Sequence, residues 1–206
     1  MIIQERMSVY INSLDTGNGE FLDNLEREAL ADEVPIIRQD MQSFLKVLLA
    51  IHQPRRILEI GTAVGFSALL MAANTSHDCT ITTIEKYEKR IPVAKANFAA
   101  SGMGHRITFL EGDAMEAMRG LTESYDMIFM DAAKGQYIYF LPEALRLLKT
   151  GGVLISDNVL QDGDIIESHY AVERRNRTIY KRMREYLYVL KHTKVDRKSG
   201  SAGMPR

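Results

Sequence analysis

Acidic and amide side chains follow two apolar runs of this 206-residue chain, at the points where those runs stop. Asp131 follows the run from Tyr125 to Met130, and Asp157 and Asn158 follow the run from Gly152 to Ser156. Two carboxylates and an amide oxygen form an all-oxygen ligand set, which suits a hard divalent cation such as Mg2+ or Ca2+. Without a cation, the two carboxylates would repel each other and one would tend to stay protonated. We therefore expect a divalent-cation site at Asp131, Asp157 and Asn158.

Lys134 lies three residues after Asp131 and is the candidate base of this group. A lysine near a cation in a desolvated pocket can have its pKa lowered enough to act as a general base. The alternative is an exposed loop lysine without a chemical role, which its position alone would favour.

A glycine turn is the second feature that could bind a ligand. The apolar run from Ile57 to Ile60 stops at Gly61, Gly65 follows, and a helix-like stretch begins at Ser67. A strand, a glycine turn and a helix open many α/β nucleotide-binding folds, because glycine lets a ligand approach the backbone and the helix N-terminus. A tight connection that binds nothing is the alternative.

Glu85 ends the next predicted strand, 24 positions after Gly61. An acidic residue about 20 positions after the turn accepts hydrogen bonds from ribose hydroxyls in such units. The spacing Gly61-x-x-x-Gly65 departs from the G-x-G-x-x-G pattern, which argues against a pyrophosphate ligand. S-adenosylmethionine, with an adenosine and an amino-acid tail but no phosphate, fits better. Asp113 could accept from its adenine amino group, although a helix cap is the competing role.

Alternating strands and helices position these residues. Five predicted strands end in polar or glycine-rich positions, and the carboxyl ends of parallel strands form the ligand-binding edge of an open sheet. Apolar runs such as Val153-Leu154-Ile155 suit strands covered on both faces. The pattern predicts an α/β fold with a mostly parallel sheet and helices on both faces. The predicted helices outside the alternating region cover 1–12, 20–31, 35–53 and 164–191, the last as one helix or two. We expect a single domain over residues 1–192 and a disordered tail over residues 193–206.

Composition narrows the classes of protein further. The single cysteine, Cys79, excludes an internal disulfide and indicates a reducing compartment. No apolar run approaches the length of a membrane span and no signal-peptide core is present, so we expect a cytoplasmic protein. The five histidines show no metal-binding spacing, which argues against zinc.

Charge is unevenly distributed along the chain, although the net charge is only −1. Residues 172–198 contain ten Lys or Arg and three Asp or Glu. Such a segment can bind an anionic partner or can simply form a solvated helix surface.

These motifs together resemble the cation-dependent class I O-methyltransferases, the family of catechol and caffeoyl-coenzyme A O-methyltransferases. The resemblance spans about Pro35 to Tyr188, and it rests on five motifs in the family's order. It implies a Rossmann-like fold with Asp131, Asp157 and Asn158 binding Mg2+, and with Lys134 as general base beside Asp131. The residues implied to hold S-adenosylmethionine are Met41, Glu59, Gly61, Gly65, Ser67, Glu85, Asp113 and Asp131.

Within the family, Asp162-Gly163-Asp164 and residues 173–177 resemble the bacterial branch that methylates 5-hydroxyuridine at the tRNA wobble position. This resemblance implies tRNA as the substrate, and the resemblance to the family as a whole implies a homodimer formed through the N-terminal helices. The residues expected to contact RNA phosphates are Arg174, Arg175, Arg177, Lys181, Arg182 and Arg184. A small catechol-like phenol is the alternative acceptor. Outside this chemistry, the alternatives are a non-catalytic RNA-binding module and a nucleotide-dependent dehydrogenase, the latter disfavoured by the missing phosphate fingerprint.

The C-terminal end departs from the family. Members usually complete the sheet with a C-terminal hairpin, whereas here Lys191 leads into a polar stretch without a strand-like run. We therefore expect the sheet to stop at five parallel strands, with the hairpin missing or altered.

Overall fold

A computed structural model describes residues 5–168 and 172–193 of the chain. The N-terminal helices are α1 (Glu5–Ser13), α2 (Glu20–Ala31) and α3 (Gln39–His52). The alternating part begins with β1 (Arg56–Ile60), α4 (Phe66–Ala73), β2 (Thr80–Glu85), α5 (Ile91–Ala100), β3 (Ile107–Glu111) and α6 (Ala114–Gly120). It continues with β4 (Tyr125–Met130), α7 (Tyr137–Leu147), β5 (Leu148–Ser156) and α8 (Arg177–His192).

The sheet has the strand order β3-β2-β1-β4-β5, and each neighbouring pair is parallel. The chain therefore reverses direction across the sheet between β1 and β4, which is where open α/β sheets bind ligands. Within the described residues β5 pairs only with β4, so the sheet has five strands there, as the sequence predicts.

Two apolar clusters cover the two faces of the sheet. Ile57 and Met127 belong to the cluster under α2 to α5, while their neighbours Leu58 and Ile128 belong to the cluster under α6 to α8. Successive residues of a strand point to opposite faces, so β1 and β4 are buried on both sides. The predicted α/β fold with helices on both faces is confirmed.

The structure corrects two predicted helices. Residues 35–38 of the predicted helix 35–53 are not helical, because Arg38 is extended and its carbonyl accepts the first helical bond, from Gln42 N. The predicted helix from Asp164 to Lys191 is also wrong in its first half. Residues Gln161–Ile166 form a 3-10 turn instead, and α8 begins only at Arg177.

Two expectations concern residues that the structure does not describe. Residues 1–4 of the predicted first helix and all of the predicted tail except Thr193 lie outside the described ranges. Of the helices in those ranges, none has both the length and the apolar character needed to cross a membrane.

Candidate active site

The turn after β1 is shaped by two glycines with positive φ. Gly61 has φ of 102°, and a Cβ added there would lie 2.0 Å from the carbonyl oxygen of Asp131. Gly65 has φ of 88°, and its Cβ would lie 2.6 Å from the Phe98 ring. Because these positions combine a left-handed backbone with close contact, side chains there would displace the turn. The turn is further fixed by Asn97 Nδ2, which donates to the carbonyl of Val64 at 2.8 Å.

Glu59 lies behind this turn and has no exposed surface. Its two carboxyl oxygens accept from Ser67 Oγ and Thr83 Oγ1, each at 2.5 Å. Burial raises its pKa to about 8, although these two hydrogen bonds oppose the shift. The structure therefore favours an indirect role for Glu59, tying β1 to β2 and to α4, over the direct ligand contact that the resemblance implies.

Ser67 and Glu85 keep acceptor capacity for a ligand. Ser67 Oγ donates its only proton to Glu59, so its lone pairs remain available. Glu85 accepts three backbone N–H bonds, from Ala63 at one oxygen and from Lys86 and Tyr87 at the other. Four lone pairs are available on a carboxylate, so one stays open on the oxygen that faces the glycine turn.

Asp113 and Met41 have local structural roles. Asp113 Oδ1 accepts from Met115 N at 2.9 Å and so caps α6, while Oδ2 lies 3.6 Å from Lys86 Nζ. The competing role as a helix cap is thus observed, and Oδ2 remains accessible to a ligand. Met41 is half-buried and packs against the core cluster that includes Val64 and Phe66 of the turn. Direct contact of Met41 with a ligand stays a prediction.

Asp131 and Asp157 follow neighbouring strands, as the sequence predicts. Asp131 N donates to Ile60 O, and Asp157 N donates to Met130 O at 3.0 Å, so both residues continue the ladder at one edge. Burial, followed by the Asp131 charge, raises the pKa of Asp157. Asn158 has φ of 47°, a left-handed conformation that asparagine tolerates better than most residues.

The donor chemistry of this edge fits a divalent cation. Carboxylate and amide oxygens are hard ligands, and the carboxylates of Asp131 and Asp157 are close enough that the Asp131 charge adds to the effect of burial in raising the pKa of Asp157. Among the described residues no three His, Cys, Asp or Glu side chains converge as a metal site. The predicted ligands are two aspartates and one asparagine, so they are not a group of that kind.

Lys134 lies in this group rather than in solvent. Its Nζ is 2.8 Å from Asp131 Oδ1 and 2.9 Å from Tyr137 Oη, and its side chain is only 17% exposed. The exposed-loop alternative is therefore wrong. The sequence reasoning missed Tyr137, which lies three residues after Lys134 at the start of α7, and it missed Arg38, whose charge lowers the pKa of Asp157 against the effect of burial.

The basic residues of 174–184 fall into three sets with different surroundings. Arg184 donates to the carbonyls of Ile165 and Glu167, and Arg177 Nε donates to Val172 O at 3.3 Å, so both guanidinium groups support the local backbone. Arg174, Arg175 and Lys181 are exposed. Arg182 connects α8 to the turn that carries Lys134, since its Nη1 lies 3.5 Å from Gly135 O and its guanidinium lies over the Tyr139 ring.

Comparison with known proteins gives one consistent family. The O-methyltransferase family model matches residues 12–195. A catechol O-methyltransferase of Mycobacterium tuberculosis is 33% identical over 139 residues, which is 66% of this chain and 63% of that protein. The alignments to the first curated relatives span between 59% and 66% of their lengths.

Two solved structures share the fold over most of their lengths. A provisionally assigned caffeoyl-CoA O-methyltransferase from Staphylococcus aureus has a TM-score of 0.85 and 33% identity, covering 91% of this chain and 90% of that one. An O-methyltransferase of Streptomyces achromogenes, involved in tomaymycin synthesis, was solved with S-adenosylmethionine. It has a TM-score of 0.80 and 26% identity, covering 94% of this chain and 89% of that one. Together with the glycine turn and the strand-end carboxylates, these matches show that the chain belongs to the O-methyltransferase family.

Proposed function

We propose that this protein transfers the methyl group of S-adenosylmethionine to an acidic hydroxyl oxygen. The observation that carries the proposal is the shared strand edge: the Gly61–Gly65 turn and Glu85 lie beside Asp131, Lys134 and Asp157. The family membership and the cofactor bound to the Streptomyces relative support the choice of methyl donor.

The residues of the turn would bind the methyl donor. The open lone pair of Glu85 suits a ribose hydroxyl, and the lone pairs of Ser67 Oγ suit the ammonium of an amino-acid tail. The positive end of the α4 dipole, directly after Gly65, suits the carboxylate of that tail.

The acceptor would lie at the acidic edge. Its hydroxyl oxygen attacks the methyl carbon, the carbon–sulfur bond breaks and S-adenosylhomocysteine leaves. The hydroxyl proton passes to the lone pair of Lys134 Nζ, which acts here as a neutral amine. Alignment of oxygen, carbon and sulfur is the main contribution of the protein to such a displacement. A divalent cation bound by Asp131, Asp157 and Asn158 would lower the pKa of the acceptor hydroxyl.

Metal removal tests this chemistry. Asp157→Ala should abolish most turnover and leave the affinity for S-adenosylmethionine unchanged, because Asp157 lies on the acceptor side of the site. EDTA should have the same effect on the unmodified protein, and added Mg2+ should restore turnover. Full turnover in EDTA would contradict the cation-dependent mechanism.

For the acceptor we propose 5-hydroxyuridine in tRNA. The exposed Arg174, Arg175 and Lys181 supply positive charge, and Arg182 lies between that surface and the turn that carries Lys134. Phosphate contacts of this kind position a nucleic acid without reading its sequence. A small catechol-like phenol is the second candidate, and the Mycobacterium relative, a catechol O-methyltransferase, supports it equally.

One experiment separates the two acceptors. The protein is incubated with labelled S-adenosylmethionine and Mg2+, and with either tRNA from a strain lacking the modification or a catechol. Charge reversal at Arg174 and Arg175 should lower tRNA methylation at least about tenfold, because losing phosphate contacts weakens binding steeply. The matched control reverses Arg27 and Arg119, which are exposed on other helices. A protein that methylates catechol and ignores tRNA would contradict the tRNA proposal.

We also propose that two copies associate through α1 and α3. All but one of the α1 side chains whose exposure is described are exposed, including Met7, Tyr10 and Ile11 at helical spacing. Phe44, Val47 and Ile51 expose a second apolar row on α3, and Asp15 just after α1 lies against Ser43 and Lys46 of α3. A nine-residue helix is marginal alone in water, so α1 needs a further apolar surface to pack against.

A further inference from the structure

A buried tyrosine hydroxyl lies between the candidate base and the two strand ends. Tyr137 is completely buried, and its Oη lies 2.8 Å from Met130 O, 2.9 Å from Lys134 Nζ and 3.4 Å from Asp157 O. Met130 ends β4 and directly precedes Asp131. This one oxygen atom is therefore close to both predicted metal-binding strand ends and to the lysine.

The hydrogen-bond directions follow from the number of protons. A phenol has one proton to donate, and Met130 O is nearer than Asp157 O, so the proton points to Met130. Burial raises the pKa of Tyr137 far above its usual value, which keeps that proton in place. The remaining lone pairs accept from Lys134 Nζ, and the same nitrogen also donates to Asp131 Oδ1.

Packing holds the Tyr137 ring in this orientation. The ring contacts Tyr186 of α8 edge-to-face, with centroids 5.5 Å apart and planes at 74°, and the Tyr186 hydroxyl bonds to Ser156 Oγ. The lysine stem is flexible and has four carbons, so its amine would otherwise sample many positions. The tyrosine oxygen offers it a fixed acceptor instead.

We propose that Tyr137 is the positioning residue for Lys134. Its hydroxyl holds the lysine amine beside Asp131, where the amine donates its N–H groups to Tyr137 and Asp131 and keeps its lone pair for the proton of an acceptor molecule. The same hydroxyl fixes this arrangement relative to the ends of β4 and β5. The inference rests on the proposed function in assigning Lys134 to the acceptor side of a methyl transfer.

The contact itself can be tested without any activity. Tyr137→Phe removes the oxygen and keeps the ring, and Tyr186→Phe is the matched control that loses a buried tyrosine hydroxyl from the same ring pair. The rate at which an amine-acylating reagent labels Lys134 is measured by peptide mass spectrometry under native conditions. We expect labelling in Tyr137→Phe to rise several-fold over the unmodified protein and over Tyr186→Phe. Equal labelling in the two variants would overturn the proposal, whether or not the protein is an active methyltransferase.

A double-mutant cycle then tests the catalytic consequence. Tyr137→Phe should lower kcat at least about tenfold with the KM for S-adenosylmethionine unchanged, and Tyr186→Phe should stay within about twofold of the unmodified protein. In a Lys134→Ala background, Tyr137→Phe should have no further effect on kcat, because the tyrosine acts through the lysine. Additive losses, or an unchanged kcat in Tyr137→Phe, would overturn the positioning role. Absence of any methyl transfer in the unmodified protein would instead contradict the proposed function, and the labelling result would stand apart from it.

Discussion

At the scale of single residues, the buried Glu59 shows how the cofactor turn is supported. Its carboxyl group accepts from hydroxyls on α4 and β2, and Thr83 also contacts Thr62 of the turn at 2.6 Å between the two hydroxyl oxygens. Three consecutive parts of the fold therefore meet at one side chain. A carboxyl group in such an environment should leave a signature in the pH dependence of folding.

Glu59→Gln should remove that signature. Burial raises the pKa of Glu59 to about 8 in the folded protein, against an ordinary value of 4.5 for a glutamate in water. Between these values the folded state binds the extra proton, so the stabilisation is complete below the lower value and is lost as pH rises through about 8. Relative to the glutamine variant, we expect the native protein to lose ~2–4 kcal/mol of unfolding free energy between about pH 4.5 and about pH 9.

Urea unfolding at a series of pH values measures this difference. Glu88→Gln makes the same change at an exposed residue and should follow the native pH profile. Parallel profiles for the native protein and Glu59→Gln would show that the Glu59 carboxyl group does not titrate with a raised pKa.

At the scale of elements, the accuracy of the predicted bounds differed from one element to the next: α2 has its predicted bounds, whereas α3 and α8 begin later than predicted. Buried parallel strands appear in the sequence as short apolar runs that end at a glycine or a carboxylate, and β4 begins and ends at the predicted residues. Helix starts depend on contacts that the sequence does not display. Gln42 Nε2 donates to Ile37 O, which supports an extended segment where Pro35 and the following apolar residues suggested a helix.

In the candidate site, too, some residues could be placed from the sequence and others could not. Asp131, Asp157 and Lys134 could be placed from sequence because strand order and residue spacing bring them to one edge. Tyr137 could not, since nothing in its sequence position distinguishes a core tyrosine from one whose hydroxyl holds a lysine. The distance of three residues between Lys134 and Tyr137 was the available signal.

The exposed apolar rows on α1 and α3 lead to a prediction about the oligomeric state. Combined charge substitutions at Tyr10 and Ile51, Tyr10→Glu and Ile51→Glu, should convert a dimer into a monomer, because charged groups in an apolar contact lose their hydration. Light scattering coupled to size exclusion gives the mass directly. Ile166→Glu is the control, since Ile166 is 83% exposed outside α1 and α3. A native protein that is already monomeric at concentrations of about 100 μM would rule out the proposed association, since such weak binding corresponds to only about −5 kcal/mol.

At the scale of the whole molecule, the fold separates two tasks along one sheet edge. The β1 and β2 ends, with the glycine turn and Glu85, form the side suited to the methyl donor, and the β4 and β5 ends form the side suited to the acceptor. Gly61 lies at the junction, where its backbone approaches Asp131 too closely for any side chain. The basic part of α8 borders the acceptor side through Arg182.

The central claim is that the turn after β1 binds S-adenosylmethionine, and calorimetric titration of the purified protein with S-adenosylmethionine tests it most directly. We predict one site per chain, at least about tenfold weaker binding in Glu85→Ala, where the ribose acceptor is lost, and unchanged binding in Asp157→Ala. Exposed Glu88→Ala controls for a lost charge near the same strand end. Absence of binding by the folded native protein, or equal affinity in Glu85→Ala, would contradict the account.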